Sequence, residues 1–386
     1  MAQSFYYAVV VALGIANVLL AAVAYRQRSR QLAGRRLHES QVALAEQRNR
    51  MAAERFELLE QQVALLVSIR DAMPIPPPAR STRHASSPVG VIDVGSSTMR
   101  LVVVRRDDSG EPRRIADERA FLHLGAELAS SGRYGIRTLR EVRARAAAFH
   151  HHAATLGCDR LTVVVTAPGR CGENADELVD ALAGATGRHV SVLSPEEEAA
   201  LAFRGAARGT ATSDRRLAVC DVGGGSTEIA FGTAASGVFS TACFDIGAVT
   251  LAEKHFSASK QRTDAEIETA RASAREAIQL GDLPATDVLI ACGGSARALA
   301  KIVGPVADAD ELNQGLATAL DPPKRLTRRL HPKRRWSLPA GILLMEGIQA
   351  QLGMPVILSS CGLREGIVET MLNAEPGTEH EALRAS

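Results

Sequence analysis

The sequence predicts a mixed α/β protein of two similar lobes with a phosphate cleft between them, carried behind an N-terminal membrane helix and a coiled coil. Three observations lead there. From Val89 onward, short apolar runs alternate with helical stretches, the pattern of strands and helices stacked in layers. Two of these runs end in matching turns of small residues, Asp93-Val94-Gly95-Ser96-Ser97 and Asp221-Val222-Gly223-Gly224-Gly225-Ser226-Thr227-Glu228. Residues 1–88 share none of this patterning.

The second turn states its chemistry most openly. Glycine lacks a Cβ, so backbone N–H groups can converge on one point, and such a nest binds phosphate. Ser226 adds a hydroxyl. Asp221 and Glu228 would repel a phosphate, so they make sense as ligands of a divalent cation lying between them and the phosphate oxygens. The first turn repeats the arrangement after the strand Val89–Val94, with Asp93, Gly95, Ser96 and Ser97, and Arg100 just beyond it. A third small-residue turn, Gly293-Gly294-Ser295, follows the strand Val288–Cys292.

The chain has 386 residues, enough for two or three domains. Hydrophobic residues make up 46% but aromatic ones only 4%, so Ala, Val, Leu and Ile must fill the core. A net charge of +2 gives no ground for a nucleic-acid partner. None of the six cysteines forms a C-x-x-C pair, and Cys220 and Cys292 fall in apolar runs, as reduced buried thiols do.

At the N-terminus, Phe5 to Tyr25 has no charged residue and is long enough to cross ~30 Å of hydrocarbon as a helix. Arg26, Arg28, Arg30, Arg35 and Arg36 follow it, which places the rest of the chain in the cytoplasm. A cleaved signal peptide usually carries its positive charge before the apolar run, so an uncleaved single-pass anchor over 1–30 is expected. Leu37, Leu44, Met51, Leu58 and Leu65 then repeat at heptad spacing, predicting a coiled coil over 31–73 and a homodimer. A Pro/Ser-rich linker covers 74–88.

In the α/β part, Ile136–Leu156 reads as a helix, and Leu161–Val165 and Val190–Leu193 as strands. Arg170, just past a strand end, is placed to fork onto an anion. Ser194 reads as the N-cap of a helix opened by Pro195, with Glu196, Glu197 and Glu198 in its dipole-favoured first turn. Glu197 and Glu198 lie about 100° apart on a helix, so at most one need face a cleft. Expected boundaries are 89–201 for the first lobe, 202–358 for the second, and 359–386 as a C-terminal segment returning to the first.

Duplicated turns of this kind resemble the actin, sugar-kinase and heat-shock ATPase superfold, which implies two actin-like (ribonuclease H-like) domains. More narrowly, the chain from about Val89 to Leu372 resembles the Ppx/GppA family of exopolyphosphatases and guanosine pentaphosphate phosphohydrolases. The two Asp-x-Gly turns and Gly293-Gly294-Ser295 carry the resemblance. Thr166–Arg170 with Asn174, Ser194–Ala199, Leu338–Gly341 and Gly362–Gly366 complete it. The resemblance implies that Glu198 is the general base that activates water, that Arg170 helps bind phosphate, and that Arg334 is a further phosphate ligand. It implies Mg²⁺ or another divalent cation, held by Asp221 and Glu228 with Asp93. Inorganic polyphosphate is the implied substrate, with guanosine pentaphosphate as the alternative and a non-catalytic sensor of either as another.

The chain departs from the family at Ser97, where Asn is usual, at Trp336, where an acid is usual, and at Pro168-Gly169. These changes bear on substrate preference and rate. Lys324, Arg325, Arg328, Arg329, Lys333, Arg334 and Arg335 form a basic run that reads either as a polyanion track or as a solvated helix face.

Overall fold

The structure, a computed structural model, describes residues 87–208, 214–257, 262–282, 284–375 and 377–384. The chain divides into two compact units, Met1–Thr82 and Arg83–Ser386, and all described residues belong to the second. The membrane helix, the coiled coil and nearly all of the linker lie outside the described residues. Among the described residues no helix is long and apolar enough to cross a membrane.

Two sheets form the frame. The first has strand order β3-β2-β1-β4-β5, from β1 (Val89–Val94), β2 (Thr98–Arg106), β3 (Pro112–Phe121), β4 (Arg160–Val165) and β5 (Val190–Val192). The second has order β10-β11-β9-β6-β7-β8, from β6 (Arg216–Val222), β7 (Thr227–Thr233), β8 (Gly237–Phe244), β9 (Val288–Cys292), β10 (Val306–Ala307) and β11 (Val356–Leu358). Apart from β10, the second sheet repeats the first. Each has an antiparallel three-strand meander whose first strand runs parallel to two later ones. The central strands are buried along almost their whole length, hence the continuous Val/Ile/Leu/Ala runs instead of alternation.

Each sheet is covered on its outer face. In the first lobe α1 (Leu124–Ser131), α2 (Ile136–Thr155), α3 (Ala167–Arg170) and α4 (Ala175–Thr186) follow the strands, and α2 and α4 supply Val142, Phe149, Leu178 and Leu182 to the outer core. In the second lobe α6 (Ala248–His255), α7 (Asp264–Ala277), α8 (Gly293–Val303), α9 (Ala309–Leu320), α10 (Lys324–Arg329) and α11 (Pro332–Leu352) pack around Leu343, Met345 and Ile348.

The inner faces of the two sheets share a third core. It is filled by α5 (Pro195–Ala207) and α12 (Leu363–Asn373), with α13 (Glu379–Arg384) at its edge. The two helices cross backbone to backbone. A Cβ on Gly366 would sit 1.8 Å from the Leu201 carbonyl oxygen, and one on Gly205 2.1 Å from that of Gly362. Only glycine permits that approach, and it sets where the N-terminus of each helix meets the cleft. Arg160 anchors the end of α12 by donating to the carbonyls of Met371 and Ala374, and it pairs with Glu379 at 2.5 Å.

Candidate active site

The two turns are built alike. Gly95 N–H donates to Thr98 O at 3.0 Å, and Gly223 N–H to Ser226 O at 3.0 Å. Their carbonyls are then drawn away by the next helix. Ser96 O accepts from Gly125 N at the start of α1, while Gly223 O and Gly224 O accept from Ala248 N and Val249 N at the start of α6. The N–H groups of Ser96, Ser97, Gly224 and Gly225 donate to no protein group among the described residues. With carbonyls removed and amides spare, both turns offer donors to an anion.

The turns face each other across the cleft. A Cβ on Gly225 would lie 2.7 Å from Ser96 Oγ, and one on Gly224 3.0 Å from Ser97 Oγ. Asp93, Gly95, Ser96, Ser97, Glu198 and Asp221 line this cleft, as do Gly223–Ser226, Gly293, Gly294, Arg297, Arg334 and Arg364.

Gly293-Gly294-Ser295 differs from the expected turn: it opens helix α8. Gly293 takes φ +87°, and a Cβ there would lie 2.3 Å from Asp221 Oδ1. The helix thus begins against Asp221 with its first N–H groups at the cleft. Ser295 does not take part with its side chain. It is fully buried, outside the cleft lining, where α11 passes so close that a Cβ on Gly341 would lie 2.3 Å from Ser295 Oγ.

Capping chemistry divides the acids of α5. Ser194 Oγ accepts from Glu197 N at 3.1 Å, and Glu197 Oε2 accepts from Ser194 N at 2.8 Å, a closed capping box. Glu197 is spent there, and Glu198, one residue on, is buried and lines the cleft. Arg170 Nη1 donates to Glu198 Oε2 at 3.0 Å and to Leu193 O at 2.7 Å; Nη2 lies 3.7 Å from Glu228 Oε1. These contacts turn Arg170 toward the two carboxylates, and it is not among the residues that line the cleft. It stands behind the cleft as the counter-charge of two buried carboxylates, because either acid alone would be costly to ionise. The Asn174 side chain clamps the Tyr134 backbone through Oδ1 and Nδ2, and the Tyr134 hydroxyl donates to Pro168 O, two residues before Arg170.

Burial raises three acids of the cleft region, Glu198, Glu228 and Asp221. Glu198 is pushed up to about 8, against the pull of Arg170 and with a further push from Asp221. Glu228 is raised well above the usual range by burial and then by Glu198, and Asp221 is raised by burial. Both carboxylate oxygens of Glu228 are buried without a hydrogen-bond partner. Among the described residues no three His, Cys, Asp or Glu side chains close around one point. Even so, two bare, buried oxygens on Glu228, cross-strand from Asp221, suit a hard divalent cation in charge and in donor type.

Three arginines bring positive charge. Arg364 Nη1 donates to Asp93 Oδ2 at 2.8 Å, so Asp93 is ion-paired through one of its two carboxylate oxygens. Arg334 lies over α8, with Nη2 2.2 Å from where a Gly294 Cβ would stand. Arg297 and Arg334 are each pushed down to about 10, by burial first and then by neighbouring arginines. Arg297 and Arg364 were not singled out from the sequence. Arg297 sits one helical turn after Gly293, and Arg364 sits inside the Gly362–Gly366 stretch, so spacing was the available signal. Arg100 is not among the lining residues. Its Nε and Nη2 fork onto Asp117 at 2.6 and 2.5 Å.

Solved structures share this fold. An exopolyphosphatase from Cytophaga hutchinsonii matches with TM-score 0.66 at 20% identity, covering 74% of this chain and 98% of that one. The Ppx/GppA enzyme of Aquifex aeolicus matches with TM-score 0.60 at 24% identity, covering 73% and 99%. An exopolyphosphatase-like protein matches with TM-score 0.65 at 23% identity, covering 74% and 97%. At these identities the structures speak for the fold. The family model of the Ppx/GppA phosphatases matches residues 102–375, most of the chain. With the cleft of amides, acids and arginines described above, the protein is a phosphoanhydride hydrolase that belongs to the Ppx/GppA phosphatase family.

Proposed function

We propose that this protein releases the terminal phosphate of inorganic polyphosphate by attack of water that Glu198 deprotonates. The observation that carries this reading is the position of Glu198: buried, held by Arg170, and lining the same cleft as the two amide turns. The turn amides with Ser96, Ser97 and Ser226 hold the terminal phosphoryl group. Arg297, Arg334 and Arg364 balance its charge. Water oxygen bonds to phosphorus, the bridging P–O bond breaks, the shortened chain leaves with that electron pair, and Glu198 Oε takes the water proton. Burial makes Glu198 a stronger base than an exposed carboxylate, while Arg170 keeps it oriented and able to ionise. Such a reaction needs positioning and charge neutralisation more than covalent help. Asp221 and Glu228 are the residues that would hold Mg²⁺, which when bound neutralises charge on the phosphate oxygens.

The second reading, guanosine pentaphosphate as substrate, is favoured by one observation. A cavity of about 330 Å³, lined by Phe121, Leu122, Ala126, Val249 and Trp336, adjoins the cleft at Ser96, Ser97 and Arg334, and its flat apolar walls suit a ring. Phosphate release by the full-length protein from long-chain polyphosphate and from guanosine pentaphosphate separates the two. Glu198→Gln should lower kcat about a hundredfold or more on whichever is used. Unchanged release in that variant removes Glu198 from the mechanism. Binding without release by the wild type would identify a sensor.

We further propose, from the apolar Phe5–Tyr25 run and the arginines after it, a single-pass anchor with the hydrolase on the cytoplasmic side and a dimer through the heptads. Deleting residues 1–30 should release the protein from membranes; sedimentation with membranes after that deletion would rule the anchor out.

A further inference from the structure

The arginines around the cleft extend beyond it, and only some are neutralised. Arg364 is paired with Asp93, Arg100 with Asp117, and Arg114 with Asp117 and Glu365. Arg297, Arg334 and Arg119 have no acidic partner among the described residues. Arg119 sits on β3 directly opposite Arg100 of β2, so the two side chains share one face of the sheet. Phe121, two residues on, is on that face too. Arg119 Cζ stands 5.8 Å from the Phe121 ring, within cation–π range. The Phe121 ring in turn stacks on His331, centroids 3.5 Å apart and planes within 10°. Phe121 and Arg334 line one cavity, and that cavity opens into the cleft at Ser96 and Ser97. The guanidiniums that form no ion pair therefore mark a route: Arg297 and Arg334 in the cleft, Arg119 at its rim beyond the Phe121 ring. After burial, like-charge neighbours weigh most on two of them, Arg100 and Arg364 on Arg119 and Arg297 and Arg119 on Arg334, with Asp117 and Asp221 as the smaller opposing charges. An array of mutually repelling cations is relieved by a ligand with repeated negative charge.

We propose that the phosphate chain leaves the cleft across the β2–β3 face, and that Arg119 binds a phosphate beyond the scissile one. This rests on the reading of the cleft as a phosphohydrolase site. It makes Arg119 a chain-length determinant: a substrate must be long enough to reach it. It also routes the chain over β3; of the basic run that begins at Lys324, Arg334 is the member among the described side chains that lines the cleft.

The test compares KM for long-chain polyphosphate with KM for tripolyphosphate in full-length wild type, R119E and R119K. R119E should raise the long-chain value about tenfold more than the short-chain value, the size of one charge-assisted hydrogen bond. R119K should restore most of the difference, and the melting temperature of R119E should match wild type. An equal rise for both substrates, or none for either, overturns the proposal. Calorimetric titration of long-chain polyphosphate into E198Q and into E198Q/R119E gives an answer that does not need turnover. Equal affinities in that pair also overturn it, whereas absence of hydrolysis by wild type would overturn only the functional reading.

Discussion

The two lobes share a hairpin and differ in what they put on it. In the first, Asp93 pairs in register with Arg100; in the second, Asp221 pairs with Glu228. The offsets are identical, so the position that is a cation in one lobe is an anion in the other. The consequences run through the whole cleft. Asp93 is held by Arg364, and Arg100 is held by Asp117, so the first lobe is charge-balanced by its own ion pairs. The second lobe carries two buried acids in adjacent strands, and Glu198 of α5 adds a third beside them. One shared arginine, Arg170, answers two of them. The first hairpin thus has its charges paired, while the second keeps an excess of buried acid. Duplicated backbone sets the amide donors in place twice; one residue in register decides which side carries the excess of acid.

This contrast can be broken by substitution. Asp93→Asn should destabilise the protein by about 3 kcal/mol, because it leaves Arg364 without its partner. Asp221→Asn should do the reverse in metal-free protein at neutral pH and stabilise it, because its carboxyl is already hard to ionise. Denaturant melts of the two variants decide it, and shifts of the same sign would end the distinction. Glu228→Gln should lower kcat about a hundredfold at any Mg²⁺ concentration while leaving the metal-free protein at least as stable as wild type; phosphate-release assays and melting curves check this together.

The next effect is on pH. The raised pKa values of Glu198, Glu228 and Asp221 mean that the folded state favours their protonated forms. The stability they confer is complete below the unfolded carboxylate value of about 4.3 and is lost as pH rises through the folded values, to about 8 for Glu198. Metal-free protein should therefore melt at lower temperature at pH 8 than at pH 5, and Mg²⁺ should flatten that slope. A slope unaffected by Mg²⁺ would deny the acids a shared cation. The smallest effect belongs to the frame common to both lobes. Gly205→Ala forces α5 and α12 apart and should cost about 1–3 kcal/mol, read as a drop in melting temperature.

Much of this was legible because it is local. Strand runs such as Val89–Val94 and Val288–Cys292 announce themselves by unbroken apolarity, and a Ser-Pro-x-Glu start announces a helix through its cap. The turns announce themselves because only glycine and small hydroxyl residues bring so many amides to one point. Ser295 and Arg100 went the other way for reasons no spacing shows. Gly341 packs on the first, and a cross-sheet Asp117 captures the second. Arg170 kept its place near the site, and the structure adds Glu198 and Glu228 as its partners, carboxylates from two other elements.

The amino-acid order by itself determined the two-lobed α/β plan, the paired turns and the identity of the acids, since these depend on periodicity, on glycine's missing Cβ and on caps a few residues long. Only the tertiary structure decided which charged groups neutralise one another and which stay uncompensated. Those pairings join residues up to 271 positions apart, as Arg364 and Asp93 are, and a Coulomb interaction depends on distance in space, not along the chain.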